Sequence, residues 1–238
     1  APLQVVELPR PTLTPGAATL RVTYSEVCGT DVHLYHGRLS GVPYPIIPGH
    51  VSVGVIDEMA GPIEDIEGRL FALGDRVTFL DVHGTCGRCY QCLVARQSTR
   101  CPHRKVYGIT YSANEGLLGG WGEYLWMKPG VHMVRLPDAL DEATFMGGGC
   151  GLVTALHAVD RAELRLGHDV AVLGVGPVGQ SIVALASLSG AGRVFAIGDP
   201  AARLDFARRM GATDSLGLDL SPEARRDAVL EATDGHGV

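Results

Sequence analysis

Hydrophobic and polar residues follow different patterns in the two parts of this chain. In residues 19–27 they alternate, residues 50–59 are rich in β-branched side chains, and the pairs Tyr44-Pro45 and Pro48-Gly49 separate such runs. A period of two is typical of strands, and these dipeptides mark turns. Residues 1–150 are therefore predicted to form mostly strands and loops.

From residue 151 onward, short apolar runs alternate with stretches of helical spacing. The predicted elements are helices at 151–163, 177–189, 200–210 and 222–233, and strands at 170–173 and 194–197. Strands alternating with helices of this length predict parallel βαβ units, and hence an α/β fold. Such units fall short of a complete six-stranded dinucleotide-binding fold, so residues 151–238 are predicted to form an incomplete one.

Composition and charge exclude several classes of partner. A hydrophobic content of 46% permits a substantial core, and a net charge of -6 leaves no basic surplus for nucleic acid. Residues 1–10 lack the pattern of a secretory signal. Residues 170–192 carry no charge, but glycines and a proline interrupt them, which favours strand, turn and helix over a membrane span. We expect a cytoplasmic protein with no membrane partner.

Four of the six cysteines lie close together, in Cys86-Gly-Arg-Cys89-Tyr-Gln-Cys92 and, after eight further residues, Cys101. In a reducing compartment this crowding indicates a metal before it indicates disulfides. Four thiolates can close tetrahedrally around one Zn²⁺ and leave no open position, which predicts a structural site in a lobe at about 81–105. A redox dithiol or an iron–sulfur cluster is the alternative.

A glycine-rich loop follows the predicted strand 170–173. It reads Gly174-Val-Gly176-Pro177-Val178-Gly179 and opens the helix that begins at Pro177. In this context the glycines permit a tight turn, a close approach to a pyrophosphate and close packing of helix on strand, and the helix N-terminus favours phosphate. The motif predicts a nicotinamide-dinucleotide site, and the alternative is a glycine turn without a ligand.

The end of the next strand reads Ile197-Gly198-Asp199-Pro200. Asp199 lies about 20 residues past the glycines, where NAD-binding folds place an acid on the ribose hydroxyls. It could equally cap the following helix, with Pro200 as the first helical residue. Arg203 could reach a phosphate or a ribose hydroxyl.

With these motifs in place, Cys28-Gly-Thr30-Asp31-Val-His33, Gly49-His50 and Gly74-Asp75-Arg76-Val77 resemble the zinc-dependent alcohol dehydrogenases of the medium-chain dehydrogenase/reductase superfamily. The resemblance runs from about residue 3 to 238 and includes the order of the motifs. It implies a GroES-like, mostly β catalytic domain at 1–150 followed by the Rossmann domain at 151–238.

The resemblance also implies a catalytic Zn²⁺ held by Cys28, His50 and Cys150. Two thiolates and one imidazole would leave the fourth position for water or an alcohol oxygen. For Cys150 alone, ordinary core packing is the alternative.

The remaining site residues are likewise implied by the resemblance. Thr30 matches the hydroxyl that bonds the substrate oxygen, and His33 matches the outer end of the proton relay, although it could be a surface histidine. Asp31 matches a carboxylate that orients the imidazole of the zinc histidine. Thr154 is expected against the nicotinamide ring.

Two positions depart from the family pattern. Val51 stands where the family commonly has glutamate after the zinc histidine, which puts the role of that carboxylate in doubt. Gly198 stands where many NAD-specific members have their acid. Because Asp199 still places a negative charge beside the ribose, we expect NAD as the coenzyme, with NADP possible.

The implied activity is reversible NAD(P)-linked oxidation of an alcohol or polyol to an aldehyde or ketone, by a homodimer or homotetramer that acts on small molecules. Asp81, Val82 and His83 precede the cysteine lobe and suggest a polar substrate, and His83 is either an extra ligand or a loop histidine. The alternatives are a zinc-independent quinone or enoyl reductase of the same superfamily and a non-catalytic zinc-stabilised binding protein.

Overall fold

The structure, a computed structural model, describes residues 3–238. The chain forms two compact units, of which the first ends at Gly147 and the second comprises Gly148–Val238. The division predicted after residue 150 lies close to this boundary. Within the described range, no helix has both the length and the apolar character needed to cross a bilayer.

The first unit is built on strands, as the alternation predicts. They are β1 (Ala18–Ser25), β2 (Ser52–Met59), β3 (Arg76–Phe79), β4 (Val82–Gly84), β5 (Lys105–Val106), β6 (Tyr124–Met127) and β7 (Met133–Arg135). Five of them form one antiparallel sheet in the order β6-β1-β2-β3-β7. Its core contains Leu20, Ile56, Val77 and Leu125, each at most 1% exposed.

Two short helices and a small ribbon also belong to this unit. Helix α1 (Gly29–Tyr35) follows β1, and α2 (Tyr90–Leu93) lies inside the cysteine lobe, with 3-10 turns at Ser98–Arg100 and Ala113–Glu115. Strands β4 and β5 pair antiparallel with each other. The four clustered cysteines therefore lie in a loop whose base is closed by this ribbon.

The second unit has the predicted alternation of strands and helices. Its elements are β8 (Val170–Leu173), α4 (Pro177–Leu188), β9 (Val194–Gly198), α5 (Ala201–Arg209), β10 (Asp214–Gly217) and α6 (Pro222–Ala232). The three strands are parallel and lie in the order β10-β9-β8. The α/β prediction is confirmed, whereas β10 was not predicted.

The helix predicted at 151–163 begins earlier. Helix α3 (Glu142–Arg161) runs from the first unit into the second and is interrupted at Gly149, whose φ of 45° and ψ of -146° are not helical. A glycine is the residue that adopts a positive φ without strain. Two helical segments therefore meet at Gly149, and Cys150 directly follows this break.

Helix α5 starts one residue later than predicted. Pro200 is its N-cap residue, with an extended backbone at φ -77° and ψ 170°, and the cap carries no side-chain hydrogen bond. Asp199 therefore lies outside the helix. Its interpretation as an N-cap is wrong, because the N-cap position belongs to the next residue.

Candidate functional site

The four cysteines of the lobe bring their sulfur atoms together. The Sγ atom of Cys101 lies 3.6 Å from that of Cys86 and 4.0 Å from that of Cys89, and the Cys89 and Cys92 sulfurs are 3.6 Å apart. Sulfurs bound tetrahedrally at about 2.3 Å from a Zn²⁺ would be ~3.8 Å apart, whereas a disulfide is about 2.05 Å long. The arrangement fits one zinc ion with all four positions filled.

The ionisation of these thiols differs from one to the next. A backbone N–H of Arg88 lowers the pKa of Cys86 to about 6. Burial and the neighbouring Cys89 thiol raise the pKa of Cys92 to about 11. Thiols this close cannot all become thiolates without a cation, since each negative charge disfavours the next. This chemistry also fits a bound metal ion.

His83 lies at the base of the lobe, on strand β4. Its Nδ1 is 2.5 Å from the hydroxyl of Tyr111 and its Nε2 is 3.1 Å from the carbonyl oxygen of Pro129. A carbonyl only accepts, so Nε2 donates to Pro129 and Nδ1 accepts from Tyr111. Burial raises the pKa of Tyr111 to about 12, which keeps its hydroxyl a donor. Both imidazole nitrogens are engaged, as expected of the loop histidine rather than the extra ligand.

Cys28 is the N-cap residue of α1, so its position is fixed by the helix that follows. Its thiol accepts a hydrogen bond from the backbone N–H of Thr30 at 3.3 Å. In return, Asp31 Oδ2 accepts from the backbone N–H of Cys28 at 2.9 Å. This reciprocal capping satisfies N–H groups at the start of the helix. It holds the sulfur at the N-terminus of α1.

His50 faces this sulfur from the segment before β2. Its Nε2 lies 3.7 Å from the Sγ of Cys28, and the residue is only 6% exposed. A sulfur and a nitrogen bound to the same tetrahedral Zn²⁺ would be ~3.6 Å apart. The pair therefore fits two ligands of one metal ion.

The backbone around His50 is held by a segment that sequence reasoning missed. The N–H groups of Gly120 and Trp121 donate to the carbonyls of Gly49 and Pro48 at 2.8 and 2.9 Å. A Cβ on Gly120 would lie 1.8 Å from the hydroxyl oxygen of Ser52. Only a glycine permits this approach, and the signal for it was the pair Gly119-Gly120 before Trp121.

Two carboxylates, those of Asp31 and Asp81, bear on the environment expected for His50. Asp31 Oδ1 and His50 Nδ1 are both buried, and neither has a hydrogen-bond partner among residues 3–238. The hydrogen bond expected between these two side chains is thus not formed. Burial raises the pKa of Asp81, although a charge on His50 would lower it. Asp81 therefore belongs to the electrostatic surroundings of His50.

The other residues expected at the catalytic site are distributed over both units. Thr30 and His33 stand on α1, with Thr30 half-buried and His33 exposed. Positions three apart share one face of a helix. Cys150 and Thr154 belong to the second unit, on α3.

A cleft of about 690 Å³ opens at the carboxyl ends of the parallel strands in the second unit. This volume is typical of sites for small molecules and cofactors. It is lined by Gly174, Gly176, Asp199 and Arg203, which were expected there, and by Gly198, which was expected at the ribose. Val175, Leu218, Arg225 and Arg226 line it as well and were not predicted. Pro177, Val178 and Gly179 form the first turn of α4 beside the cleft.

The glycine loop has the geometry that its motif predicts. Gly174 has a φ of +99°, and a Cβ on Gly179 would lie 1.8 Å from the carbonyl oxygen of Gly174. The third glycine thus allows the helix to pack directly on the turn. Gly176 is the N-cap of α4 and provides no side-chain hydrogen bond, so the helix N-terminus is available to an anion.

Charged residues of both signs border this cleft. Asp199 is exposed, and within the described residues no hydrogen bond or ion pair engages its carboxylate. On α6, Arg225 donates to the carbonyl of Leu220 at 2.9 Å, and Arg226 forms an ion pair with Asp227 at 2.8 Å. Neither arginine was predicted, because α6 lies far from the glycine motif in sequence.

Comparison with known proteins agrees with this geometry. Residues 14–138 match the family described as alcohol dehydrogenase GroES-like domain. Among curated proteins, 5-exo-hydroxycamphor dehydrogenase of Pseudomonas putida is 34% identical over 91% of this chain and 60% of its own length. L-threonine 3-dehydrogenase of an Anaeromyxobacter species is 36% identical over 84% of this chain and 54% of its own length.

The structure of an alcohol dehydrogenase from Thermotoga maritima superimposes on 99% of this chain with a TM-score of 0.87 and 32% identity, and the match covers 64% of that protein. The chain thus spans less than two thirds of each of these three relatives. The family match extends over more than half of this chain. The chain belongs to the zinc-type alcohol dehydrogenase family of the medium-chain dehydrogenase/reductase superfamily.

Proposed function

We propose that this protein is a zinc-dependent oxidoreductase that converts an alcohol or polyol reversibly to an aldehyde or ketone with NAD. The observation that carries the proposal is the pairing of Cys28 and His50, whose Sγ and Nε2 atoms lie 3.7 Å apart. Both side chains are held by backbone hydrogen bonds around them. A thiol and an imidazole at this distance can bind the same metal ion, and a site with three protein ligands keeps a fourth position open.

Cys28, His50 and Cys150 would hold the catalytic zinc. The ion would supply Lewis-acid chemistry, which polarises the oxygen of an alcohol or carbonyl group. Cys86, Cys89, Cys92 and Cys101 would hold a second, structural zinc, since their sulfurs leave no position for a substrate.

The protein's own share of the chemistry is the handling of a proton. The hydroxyl of Thr30 both donates and accepts hydrogen bonds, so it can take the proton of the alcohol and release its own. His33 lies one turn further along α1 and is exposed, where an imidazole can exchange protons with water. The first turn of α1 would orient this path.

The cleft of the second unit would bind the coenzyme. The glycine loop and the N-terminus of α4 would face the pyrophosphate, and Asp199 with Arg203 would face the adenosine ribose. Asp199 keeps an exposed charge that capping does not use. This charge favours NAD over a coenzyme with a 2′-phosphate. Thr154 is proposed against the nicotinamide ring.

Turnover and coenzyme binding test the proposal together. We expect the purified protein to reduce NAD with a panel of alcohols and polyols and to lose this activity in Cys28→Ala. A zinc-independent reductase would retain turnover in Cys28→Ala. A zinc-stabilised binding protein would bind no nicotinamide coenzyme at all.

A cytoplasmic location and assembly as a homodimer or homotetramer are part of the same proposal. Six cysteines assigned to metal ions require a compartment that keeps thiols reduced.

A further inference from the structure

We propose that Gln180 is a positioning residue for the coenzyme: its buried side-chain amide fixes the glycine loop at a set distance from the first turn of α5. This inference rests on the proposed function, because it assigns a role to a residue beside the coenzyme cleft. Gln180 does not line the cleft itself.

The amide of Gln180 connects two separate elements. Its Nε2 donates to the carbonyl oxygen of Val175 at 3.2 Å and to that of Arg203 at 2.7 Å. Val175 lies inside the glycine loop, and Arg203 lies in the first turn of α5. Because both partners are carbonyls, which only accept, the orientation of the amide is fixed by chemistry.

The same amide leaves one atom unsatisfied. Gln180 is 9% exposed, and its Oε1 is buried without a hydrogen-bond partner among the residues that the structure describes. A buried unpaired acceptor is unfavourable, and an apolar side chain of similar length would avoid it. The amide therefore uses its donor for two hydrogen bonds and its acceptor for none. What this glutamine provides is the link between the glycine loop and α5.

Val175 is held from a second side as well. Its side chain is 2% exposed, and a Cβ on Gly198 would lie 2.7 Å from its Cγ2 atom. The loop is thus packed against the end of β9 while Gln180 ties it to α5. The glycine loop forms one wall of the cleft, and Asp199 with Arg203 forms the other. Both contacts therefore act on the distance between these two walls.

A dinucleotide must touch both walls at once. Its pyrophosphate would lie at the glycine loop and its adenosine ribose at Asp199 and Arg203, so its affinity depends on the distance between them. Adenosine alone would contact only the wall formed by Asp199 and Arg203. A residue that sets this distance contributes through preorganisation, which affects the larger ligand selectively.

Direct binding of NADH and of adenosine to the purified protein tests the inference. In Gln180→Met, which keeps the length of the side chain and removes the donor, we expect the Kd for NADH to rise by about tenfold and the Kd for adenosine to change by less than about twofold. In kinetics, the KM for NAD should rise in parallel, while kcat at saturating coenzyme stays within about twofold.

Ser181→Ala is the matched control, because Ser181 neighbours Gln180 on α4 and its hydroxyl donates to the carbonyl of Pro177 in the same helix. Neither Kd should change in this variant. If Gln180→Met does not fold, as circular dichroism would reveal, Gln180→Asn is the second variant. It keeps the amide but shortens the side chain, so that the amide no longer reaches the carbonyls of both Val175 and Arg203, and it should give the same selective loss.

Three results would overturn the inference. Equal losses for NADH and adenosine would mean that Gln180 only supports the local fold. An unchanged Kd for NADH in a folded variant would mean that the link is not needed. A wild-type protein that binds neither NADH nor NADPH would overturn the proposed function and the inference with it, and it would be recognised before any variant is compared.

Discussion

The sulfur of Cys28 lies 3.7 Å from Nε2 of His50, and the two residues are brought together from different elements. Cys28 is placed by the first turn of α1, and His50 by hydrogen bonds from residues 120 and 121 to the backbone that precedes it. Hydrogen bonds within the first unit therefore hold both residues in place. Ligands whose positions are fixed by surrounding hydrogen bonds suit a metal site.

The first prediction concerns metal content. We expect two Zn²⁺ per chain, one bound by four sulfurs and one by two sulfurs and a nitrogen. Cys150→Ala should reduce the content to one, because a site that loses a thiolate binds zinc more weakly. Elemental analysis with X-ray absorption spectroscopy measures both quantities. A content near one in the wild type, unchanged by Cys150→Ala, would remove the catalytic zinc from the proposal.

The second prediction concerns the cysteine lobe. Cys89→Ala should abolish the structural zinc site and lower thermal stability strongly, since metal binding there is coupled to local folding. Limited proteolysis should then cut within residues 86–101. Thr30→Ala is the control, with an unchanged melting temperature. A Cys89→Ala protein that melts like the wild type would show that the lobe does not depend on its metal.

The third prediction concerns proton transfer. Thr30→Ala should lower kcat by about 10²-fold or more, while Thr30→Ser, which keeps the hydroxyl, should retain most of the activity. Steady-state kinetics on the three proteins provide the comparison. Undiminished turnover in Thr30→Ala would exclude this hydroxyl from the proton path.

The fourth prediction concerns coenzyme preference. The wild type should have a higher kcat/KM with NAD than with NADP, and Asp199→Asn should reduce this ratio on the order of tenfold, because it removes a charge of the same sign as the 2′-phosphate. Asp205→Asn serves as the control, since Asp205 pairs with Arg208 and does not line the cleft. A wild-type preference for NADP would contradict the assignment.

The fifth prediction concerns acid stability. Hydrogen bonds from the backbone N–H groups of Arg69 and Glu67 lower the pKa of Asp65, whose side chain is 2% exposed. A lowered pKa in the folded state stabilises the protein above the carboxyl's ordinary pKa, and this contribution disappears as the pH falls through the folded value. Asp65→Asn should therefore be destabilised at pH 7.

Urea unfolding of both proteins between pH 7 and pH 2 checks this dependence. The difference in midpoint between wild type and Asp65→Asn should shrink as the pH falls. Asp138→Asn is the control, because the Asp138 side chain is fully exposed at 112% and pairs with Arg76 only at 3.9 Å. A difference that does not depend on pH would show that the Asp65 charge is not responsible.

Local signals in the sequence were sufficient for the elements of the glycine motif. The strand predicted at 170–173 has these same bounds, and α4 begins at Pro177 as predicted, because an apolar run and a proline at the first turn are both local features. Strand β10 was missed because all four of its residues are half-buried and form no apolar run. Its strand conformation depends on pairing with β9.

The site shows the same division between local and long-range information. The spacing of four cysteines within one loop predicted a cluster that the structure contains. In contrast, Gly120 beside His50 and Arg225 at the cleft are brought to the sites by the fold of distant segments. Asp199 was open to two interpretations because the start of α5 could not be located to within one residue. Gln180 was overlooked because its two hydrogen-bond partners lie in separate elements, the glycine loop and α5, which only the fold brings together.

The ribbon of β4 and β5 has a consequence for how the first unit tolerates change. The two strands pair with each other and not with the five-stranded sheet, so the segment between Gly84 and Lys105 leaves and returns at one place. The anchoring contacts of His83 and the buried Tyr107, whose hydroxyl accepts from the N–H of Lys128, lie at or below this ribbon. The segment is therefore attached to the rest of the first unit through this ribbon, and we expect that replacing it by a tight turn between β4 and β5 would leave the five-stranded sheet in place.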